Sequence, residues 1–290
     1  MTVSIATRFA PSPTGRLHLG HAVSAVAAHD FARRRGGRFL LRIEDIDGTR
    51  SRPEHSAAIL ADLEWLGLGW DGEPTYQSRR QDRYEAALDV LKGQGLVYPC
   101  FCTRGEIARE IAAAGSAPHG PGGQLYPGTC RMLDSAEREA RCAEPHAWRL
   151  DMAKAAAVAG PLRWQDELAG DQLAEPAVFG DVVVARKDAP SSYHLAVTVD
   201  DAEQGITHIV RGRDLFAATS VHRLLQALLD LPVPTYQHHL LVGNAAGQRL
   251  AKRHGAPTLE AMRLAGVDGR ALARDLRAGR LPTGFSWQKD

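Results

Sequence analysis

No run of eighteen apolar residues occurs in the 290-residue chain, so no helix long enough to cross a membrane is expected. The opening residues, MTVSIATRF, lack the basic, apolar and small-residue zones of a signal peptide. Cysteine is scarce: there are four, and three of them, Cys100, Cys102 and Cys130, lie close in sequence. That usage suits a reducing compartment better than a disulfide framework, and a cytoplasmic location is expected. An excess of charge is lacking too, with 35 Lys and Arg against 34 Asp and Glu. No global basicity therefore points to nucleic acid, and any such face has to be a local patch. The one asymmetry is at the end, where nine basic residues meet four acidic ones from Arg249 onward. Internal repeats and low-complexity segments are also missing. With 44% hydrophobic residues the chain can bury one large core or two modest ones.

What is present is organised around Arg8 to His21, RFAPSPTGRLHLGH. Ser4–Phe9 reads as a strand. A helix starts near Leu19, with Ala22, Val23, Val26, Ala27 and Phe31 on its apolar face. Arg33 to Arg35 load its last turn, Gly36 and Gly37 stop it, and Arg38–Ile43 returns as a strand. Strand, helix and strand make a βαβ unit and imply a parallel sheet. A polar loop entering a helix N-terminus favours an anion, and His18 and His21 can donate to phosphate oxygens. The same pattern also fits an ordinary strand–loop–helix junction carrying two surface histidines.

Glu44, Asp45 and Asp47 follow the second strand, at the carboxyl end where open α/β sheets bind ligands. A carboxylate there suits a substrate with an ammonium group; an acidic capping turn is the plainer reading. Helices are expected from Pro53 to Gly67 and over Gln81–Gly93, as packing elements. Thr103 and Glu106 form a capping box opening a short helix. The Gly- and Pro-rich stretch 115–128 and a short helix, Asp134–Arg141, complete a region too small to build its own core. Three thiols there need a fourth group to close a tetrahedral metal site, and His119 is the conventional candidate. Cys142 stays a buried or free thiol. Strands are expected at Trp148–Asp151, Leu162–Gln165, Gly180–Lys187, Tyr193–Val199, Ile206–Arg211 and Tyr236–Val242. Helices are expected at Thr219–Leu229, Thr258–Leu264 and Asp268–Ala278. A basic glycine-flanked loop, GNAAGQRLAKRHG, covers 243–255 and could clamp a polyphosphate.

His18-Leu-Gly-His21 resembles the first signature of class I aminoacyl-tRNA synthetases, and RFAPSPTG resembles their glutamyl/glutaminyl branch. Arg249-Leu-Ala-Lys-Arg253 stands where that branch usually has Lys-Leu-Ser-Lys-Arg. Arg249 and Ala251 depart from the pattern, and Lys252 holds the second lysine's place. Tyr193 to Asp201 and Ile209 to Leu215 resemble two further blocks. The resemblance extends from Arg8 to about Gly255. The Cys100, Cys102, Tyr126, Cys130 pattern and the short stretch after the lysine loop resemble the truncated glutamyl-Q tRNA(Asp) synthetase family within the branch.

That resemblance implies a Rossmann-type α/β, parallel-sheet catalytic domain with a small zinc-binding insertion, a short C-terminal helical remnant and no anticodon-binding domain. The expected divisions are 1–95 and 146–242 for the two catalytic halves, 96–145 for the insertion, and 243–290 for the lysine loop and tail. It implies a glutamate pocket of Arg8, Phe9, Ala10, Pro11, Ser12, Glu44, Tyr193 and Arg211, with Arg211 reading a carboxylate as a bidentate fork. It implies ATP contacts at His18, Gly20, His21 and Lys252, Mg²⁺ with the ATP, and one structural Zn²⁺ on Cys100, Cys102, Tyr126 and Cys130. The implied partners are ATP, L-glutamate and a queuosine-bearing tRNA(Asp), bound by a monomer that makes no membrane contact. Two alternatives stay open: a short glutamyl-tRNA synthetase charging a tRNA 3′ end, and a non-catalytic binding paralogue.

Overall fold

The computed structural model describes residues 4–113, 119–121, 123–141, 143–189, 191–244 and 257–288. Strand β1 (Ala6–Phe9), helix α1 (Leu19–Arg33) and strand β2 (Arg38–Ile43) form the expected βαβ unit, and β1 pairs in parallel with β2. Helix α2 (Pro53–Leu66) begins on Pro53 and ends at Gly67, whose φ of 73° needs a residue without Cβ. Strand β3 (Thr75–Tyr76) extends the sheet beside β2, and α3 (Gln81–Gly93) follows.

The next segment holds β4 (Val97–Cys100), α4 (Arg104–Ala113), β5 (His119–Gly120), β6 (Gly123–Gln124), α5 (Ser135–Ala140) and β7 (Ala147–Leu150). After it come α6 (Met152–Ala159), β8 (Arg163–Asp166), β9 (Gly170–Leu173) and β10 (Val183–Ala185). Strands β10, β7 and β4 form a small antiparallel sheet, which crosses the division expected at 145/146. The Thr103–Glu106 capping box is formed, with Glu106 N donating to Thr103 Oγ1 and Thr103 N donating back to Glu106 Oε2.

The chain continues through α7 (Tyr193–Glu203), β11 (His208–Gly212), α8 (Thr219–Leu228), β12 (Thr235–His239) and β13 (Val242–Asn244). Helices α9 (Leu259–Leu264) and α10 (Gly269–Arg277) and strand β14 (Phe285–Trp287) close the described fold. Strands β11, β12 and β8 are parallel, with β9 antiparallel at the edge. The two halves of the sheet meet where Thr207 N donates to Ala6 O at 3.0 Å and Ala6 N donates to Thr207 Oγ1 at 2.9 Å. Connections thus leave in opposite directions from β1 and β11, the switch point at which open α/β sheets bind ligands.

Three expectations are corrected. Tyr193–Val199 is a helix, not a strand. Every residue of α7 from Leu195 to Asp201 is buried, so no polar face marks a helical period, and the β-branched Val and Thr residues imitate a strand. Met152–Ala159 is a helix where only strands were expected around it; Asp151 caps it by accepting from Lys154 N. Tyr236–Val242 divides into β12 and the start of β13.

Alternation along the strands decides what each sheet face offers. Phe9, Phe39, Leu41 and Ile43 join α1, α2, α9 and α10 in one core. The intervening residues Arg8 and Arg42 turn to the other face, where α7 lies. A second core packs α3, α6, α7 and α8 around Tyr84, Leu195, Val221 and Leu225.

Candidate functional site

The loop after β1 ends in a reciprocal cap made by two histidines. His18 is the N-cap of α1, and its Nδ1 accepts from Gly20 N at 3.1 Å; His18 N donates to His21 Nδ1 at 3.1 Å. Both Nδ1 atoms act as acceptors, so each neutral ring carries its proton on Nε2. The ring centroids are 3.9 Å apart. A Cβ on Gly20 would lie 3.0 Å from the His18 ring, so the small residue between them keeps the cap intact. Glu44 N donates to Pro11 O at 3.0 Å, tying this loop to the end of β2.

These residues line a cavity of about 580 Å³. Its walls bring together Arg8, Phe9, Ala10, Pro11, Ser12, His18, Gly20, His21, Glu44, Tyr193 and Arg211. Asp45 and Asp47 do not join them. Asp45 accepts from Ser78, and Asp47 accepts from Thr49 and Arg186.

Beneath the cavity lies a buried charge cluster that sequence reasoning missed. Arg8 makes a bidentate pair with Asp201, Nε to Oδ1 at 2.9 Å and Nη2 to Oδ2 at 3.2 Å. Arg42, fully enclosed, donates to Asp201 Oδ1 at 2.8 Å, to Gln204 Oε1 at 2.7 Å and to Glu44 Oε1 at 3.2 Å. Burial alone would raise the Asp201 carboxyl, but Arg8 and Arg42 outweigh it and hold it low. Burial pushes Glu44 upward, against the pull of Arg42 and Arg8. Two signals were legible: a paired Asp200-Asp201 ending an apolar run, and an arginine within a strand otherwise apolar on both faces.

Arg211, next to last in β11, sits beside its own set of partners and is 5% exposed. Its Nε donates to His238 Nε2 at 3.0 Å, and Nη1 lies 3.3 Å from His222 Nδ1. Nη2 donates to Thr219 Oγ1 at 2.7 Å and to Leu215 O at 3.1 Å. Four of its five N–H hydrogens are therefore directed into the protein, and the open bidentate fork expected from the sequence is not present. Tyr193, the first residue of α7, stands against His194 and His222.

A second cavity, of about 1070 Å³, shares Tyr193, Asp214 and Leu215 with the first and reaches Cys102. Arg50, Arg104, Arg149, Arg186 and Lys187 line it together with Asp47, Asp188 and Asp214. Arg50 and Arg186 pair with Asp47, and Arg186 also with Asp188, which leaves a small basic excess.

Beyond it, the Sγ atoms of Cys100, Cys102 and Cys130 lie within 4.8 Å of one another. Cys102 Sγ is 3.4 Å from Cys130 Sγ and 3.5 Å from Tyr126 Oη. Metal–sulfur bonds of about 2.3 Å put tetrahedral ligands about 3.8 Å apart, within this spread. Phe101 N donates to Cys130 Sγ at 3.4 Å and Arg149 Nε to Cys100 Sγ at 3.3 Å. Such donors suit thiolates, the form in which cysteine binds metal. Burial pushes the Cys102 thiol up to about 11, and a bound cation would reverse that. The donor set, three sulfurs and a phenol oxygen, fits a closed structural site. Asp181 fastens this segment to the body, accepting from Tyr98 Oη at 2.5 Å, Arg131 Nη1 at 2.8 Å and Met152 N at 3.0 Å. The side chain of His119, and Cys142, Arg249, Ala251 and Lys252, lie outside the described residues. No helix among the described residues is long and apolar enough to cross a membrane.

Comparison with known proteins gives the family. The family model for tRNA synthetases class I (E and Q), catalytic domain, matches residues 4–277. A glutamyl-Q tRNA(Asp) synthetase of Rhodobacter capsulatus is 49% identical over 90% of this chain and 95% of its own length. Its counterpart in Nocardia farcinica is 48% identical over 91% of this chain and 81% of its own length. Among solved structures, a glutamate tRNA ligase from Elizabethkingia meningosepticum, in complex with its amino acid, superposes with a TM-score of 0.74 at 29% identity. A glutamate-tRNA synthetase from Elizabethkingia anophelis gives 0.75 at 29%. This chain is covered to 88% in both, yet it spans only 54% and 55% of those ligases. The Rossmann-type parallel sheet, the signature loop and these relatives lead to one assignment: the chain belongs to the class I E-and-Q tRNA synthetases, a family of ligases, and within them to the glutamyl-Q tRNA(Asp) synthetase family.

Proposed function

We propose that the chain activates L-glutamate with ATP, without needing tRNA, and transfers it to the queuosine base at the wobble position of tRNA(Asp). The observation that carries this reading is the 580 Å³ cavity. It gathers the signature loop, Glu44, Tyr193 and Arg211 at the sheet's switch point. The names of the relatives support the choice of amino acid and acceptor.

Arg8, the 9–12 backbone, Glu44, Tyr193 and Arg211 hold glutamate, with Glu44 facing its ammonium group and Arg211 with Tyr193 facing its side-chain carboxylate. The α-carboxylate attacks the α-phosphorus of ATP. The bond to the β-phosphate breaks, leaving glutamyl-adenylate and pyrophosphate. His18 and His21 donate from Nε2 as charge builds on the phosphates, Gly20 lets the nucleotide approach, and Lys252 neutralises the leaving pyrophosphate. Magnesium accompanies the ATP and supplies further charge neutralisation. A hydroxyl of the queuosine cyclopentene ring then attacks the acyl carbon, and AMP leaves. No side-chain nucleophile takes part; the pocket works by positioning and electrostatics. The second cavity next to Tyr193, with five basic and three acidic side chains in its lining, supports entry of an RNA acceptor from that side, and the reaction is read as cytoplasmic because its acceptor is a tRNA. Zinc on Cys100, Cys102, Tyr126 and Cys130 would brace the 96–145 insertion structurally, and the 243–290 segment supplies the lysine loop.

Glutamate-dependent ATP–pyrophosphate exchange, followed by charging of queuosine-containing tRNA(Asp) and of tRNA(Glu), tests the reading. Lys252→Ala should lower exchange by about a hundredfold while the chain stays folded. Charging of tRNA(Glu) alone would support the short glutamyl-tRNA synthetase instead, and absence of exchange would support a non-catalytic paralogue.

A further inference from the structure

Three arginines line the cavity wall or its floor, and they differ in one respect. Arg8 and Arg42 are neutralised by contact with Asp201, and Arg42 also with Glu44. Arg211 touches no carboxylate among the described residues; its partners are two imidazoles, a hydroxyl and a carbonyl. Its charge is therefore left for a ligand.

We propose that His222 and His238, with Thr219, are positioning residues that make the site prefer a carboxylate to an amide, acting through Arg211. This rests on the reading of Arg211 as the contact for the glutamate side chain. An imidazole nitrogen accepts only when it carries no proton. His238 accepts from Arg211 at Nε2, so its proton is on Nδ1, which points to Asp166 Oδ2 at 2.7 Å. His222 accepts at Nδ1, so its proton is on Nε2, which points to His194 Nδ1 at 3.2 Å. Two relays, one ending on Asp166 and one on His194, thus fix both tautomers and leave the guanidinium one orientation. Burial and the guanidinium itself keep all three histidines neutral, with His238 and His194 each lowered to about 4. The cage consumes four N–H donors without consuming the charge. One N–H on Nη1 remains, and a single donor by itself barely separates a carboxylate from an amide. The uncompensated charge separates them, because it favours the anion in a site shielded from water. Turning either ring, or removing its acceptor, frees Arg211 to swing away and leaves a buried N–H unpaired.

The test is ATP–pyrophosphate exchange by the full chain with glutamate and with glutamine. His222→Phe and His238→Phe keep a flat ring but remove the acceptor. His222→Asn and His238→Gln restore an oxygen near Nδ1 and Nε2 respectively. The Phe variants are expected to raise KM for glutamate about tenfold, with kcat changed by less than about threefold. They should also lower the glutamate-to-glutamine ratio of kcat/KM by about tenfold. The Asn and Gln variants should recover to within about threefold of wild type. Should a Phe variant fail to fold, Thr219→Val, which removes another Arg211 acceptor, is read in its place with the same expectation. An unmoved KM in the folded variants, or equal losses in the apolar and the acceptor-restoring variants, would overturn the positioning role. A wild-type chain without glutamate-dependent exchange would instead overturn the glutamate reading itself.

Discussion

Asp62 offers a prediction that can be worked from the structure in numbers. It lies on the inner side of α2, fully enclosed, and neither carboxylate oxygen has a hydrogen-bond partner. The nearest cation, Arg263 of α9, is 3.9 Å away. Burial raises the Asp62 carboxyl to about 6, against an ordinary 3.8, with Arg263 only partly offsetting it. A folded-state pKa above the unfolded one means that the folded chain binds more protons between those values. Stability therefore falls as pH rises from about 4 to about 6, and stays lower above that. At 1.36 kcal/mol per pH unit the difference amounts to at most about 3 kcal/mol. Relaxation and water penetration around the charged carboxylate reduce it to roughly 1–2 kcal/mol. Asp62→Asn keeps the shape and removes the charge. At pH 7 it should be more stable than wild type by that amount, raising Tm by about 2–3 °C. The advantage should shrink as pH falls toward 4, where the wild-type carboxyl is protonated in the folded state. Thermal unfolding of both chains at half-unit pH steps measures it. A difference that stays constant from pH 4.5 to 7.5, or a less stable variant at pH 7, would refute the reasoning.

Two further outcomes follow from the buried cations and the thiol cluster. Arg42→Met leaves Asp201 with Arg8 alone and Glu44 without its partner. It should cost about 3–5 kcal/mol in urea unfolding, and a loss below about 1 kcal/mol would contradict the network. Cys100→Ser should lower bound zinc from one per chain toward none and reduce Tm, while KM for glutamate shifts less than about threefold; wild-type chain that carries no zinc would end that reading.

The residues that touch the cavity were largely legible through the short blocks that resemble the family, while spacing alone left the plainer readings open. The His18–His21 cap is made within a single helical turn, and the βαβ unit around it announces itself by periodicity. What was not legible depends on contacts far apart in sequence. Asp201 meets Arg8 across 193 positions and Arg42 across 159; the apolar run before it hints at burial, but nothing near it names its partners. Tyr193 was placed on a strand because α7 is enclosed on all sides and so has no polar stripe to betray its period. Arg211 was assigned a carboxylate fork by resemblance, and only the positions of His222, Thr219 and His238 reveal how few of its donors remain. Cys100, Cys102 and Cys130 do come together, with Tyr126 Oη beside Cys102 Sγ, because β4 and the turn holding Cys130 pack against each other.

The pairing of Arg8 with Asp201 also orders events during synthesis. At roughly 5–20 residues per second, the carboxylate reaches the arginine on the order of ten to forty seconds after the arginine has been made. Until then β1 and β2 carry two inward-facing guanidiniums on a face that nothing covers. The first βαβ unit to leave the ribosome is thus among the last parts of the sheet to become permanent, and it waits for α7 and β11 to arrive. Long-range pairing of this kind slows folding. The cavity therefore comes into existence only as the two halves join, so that no fragment ending before β11 contains its full lining.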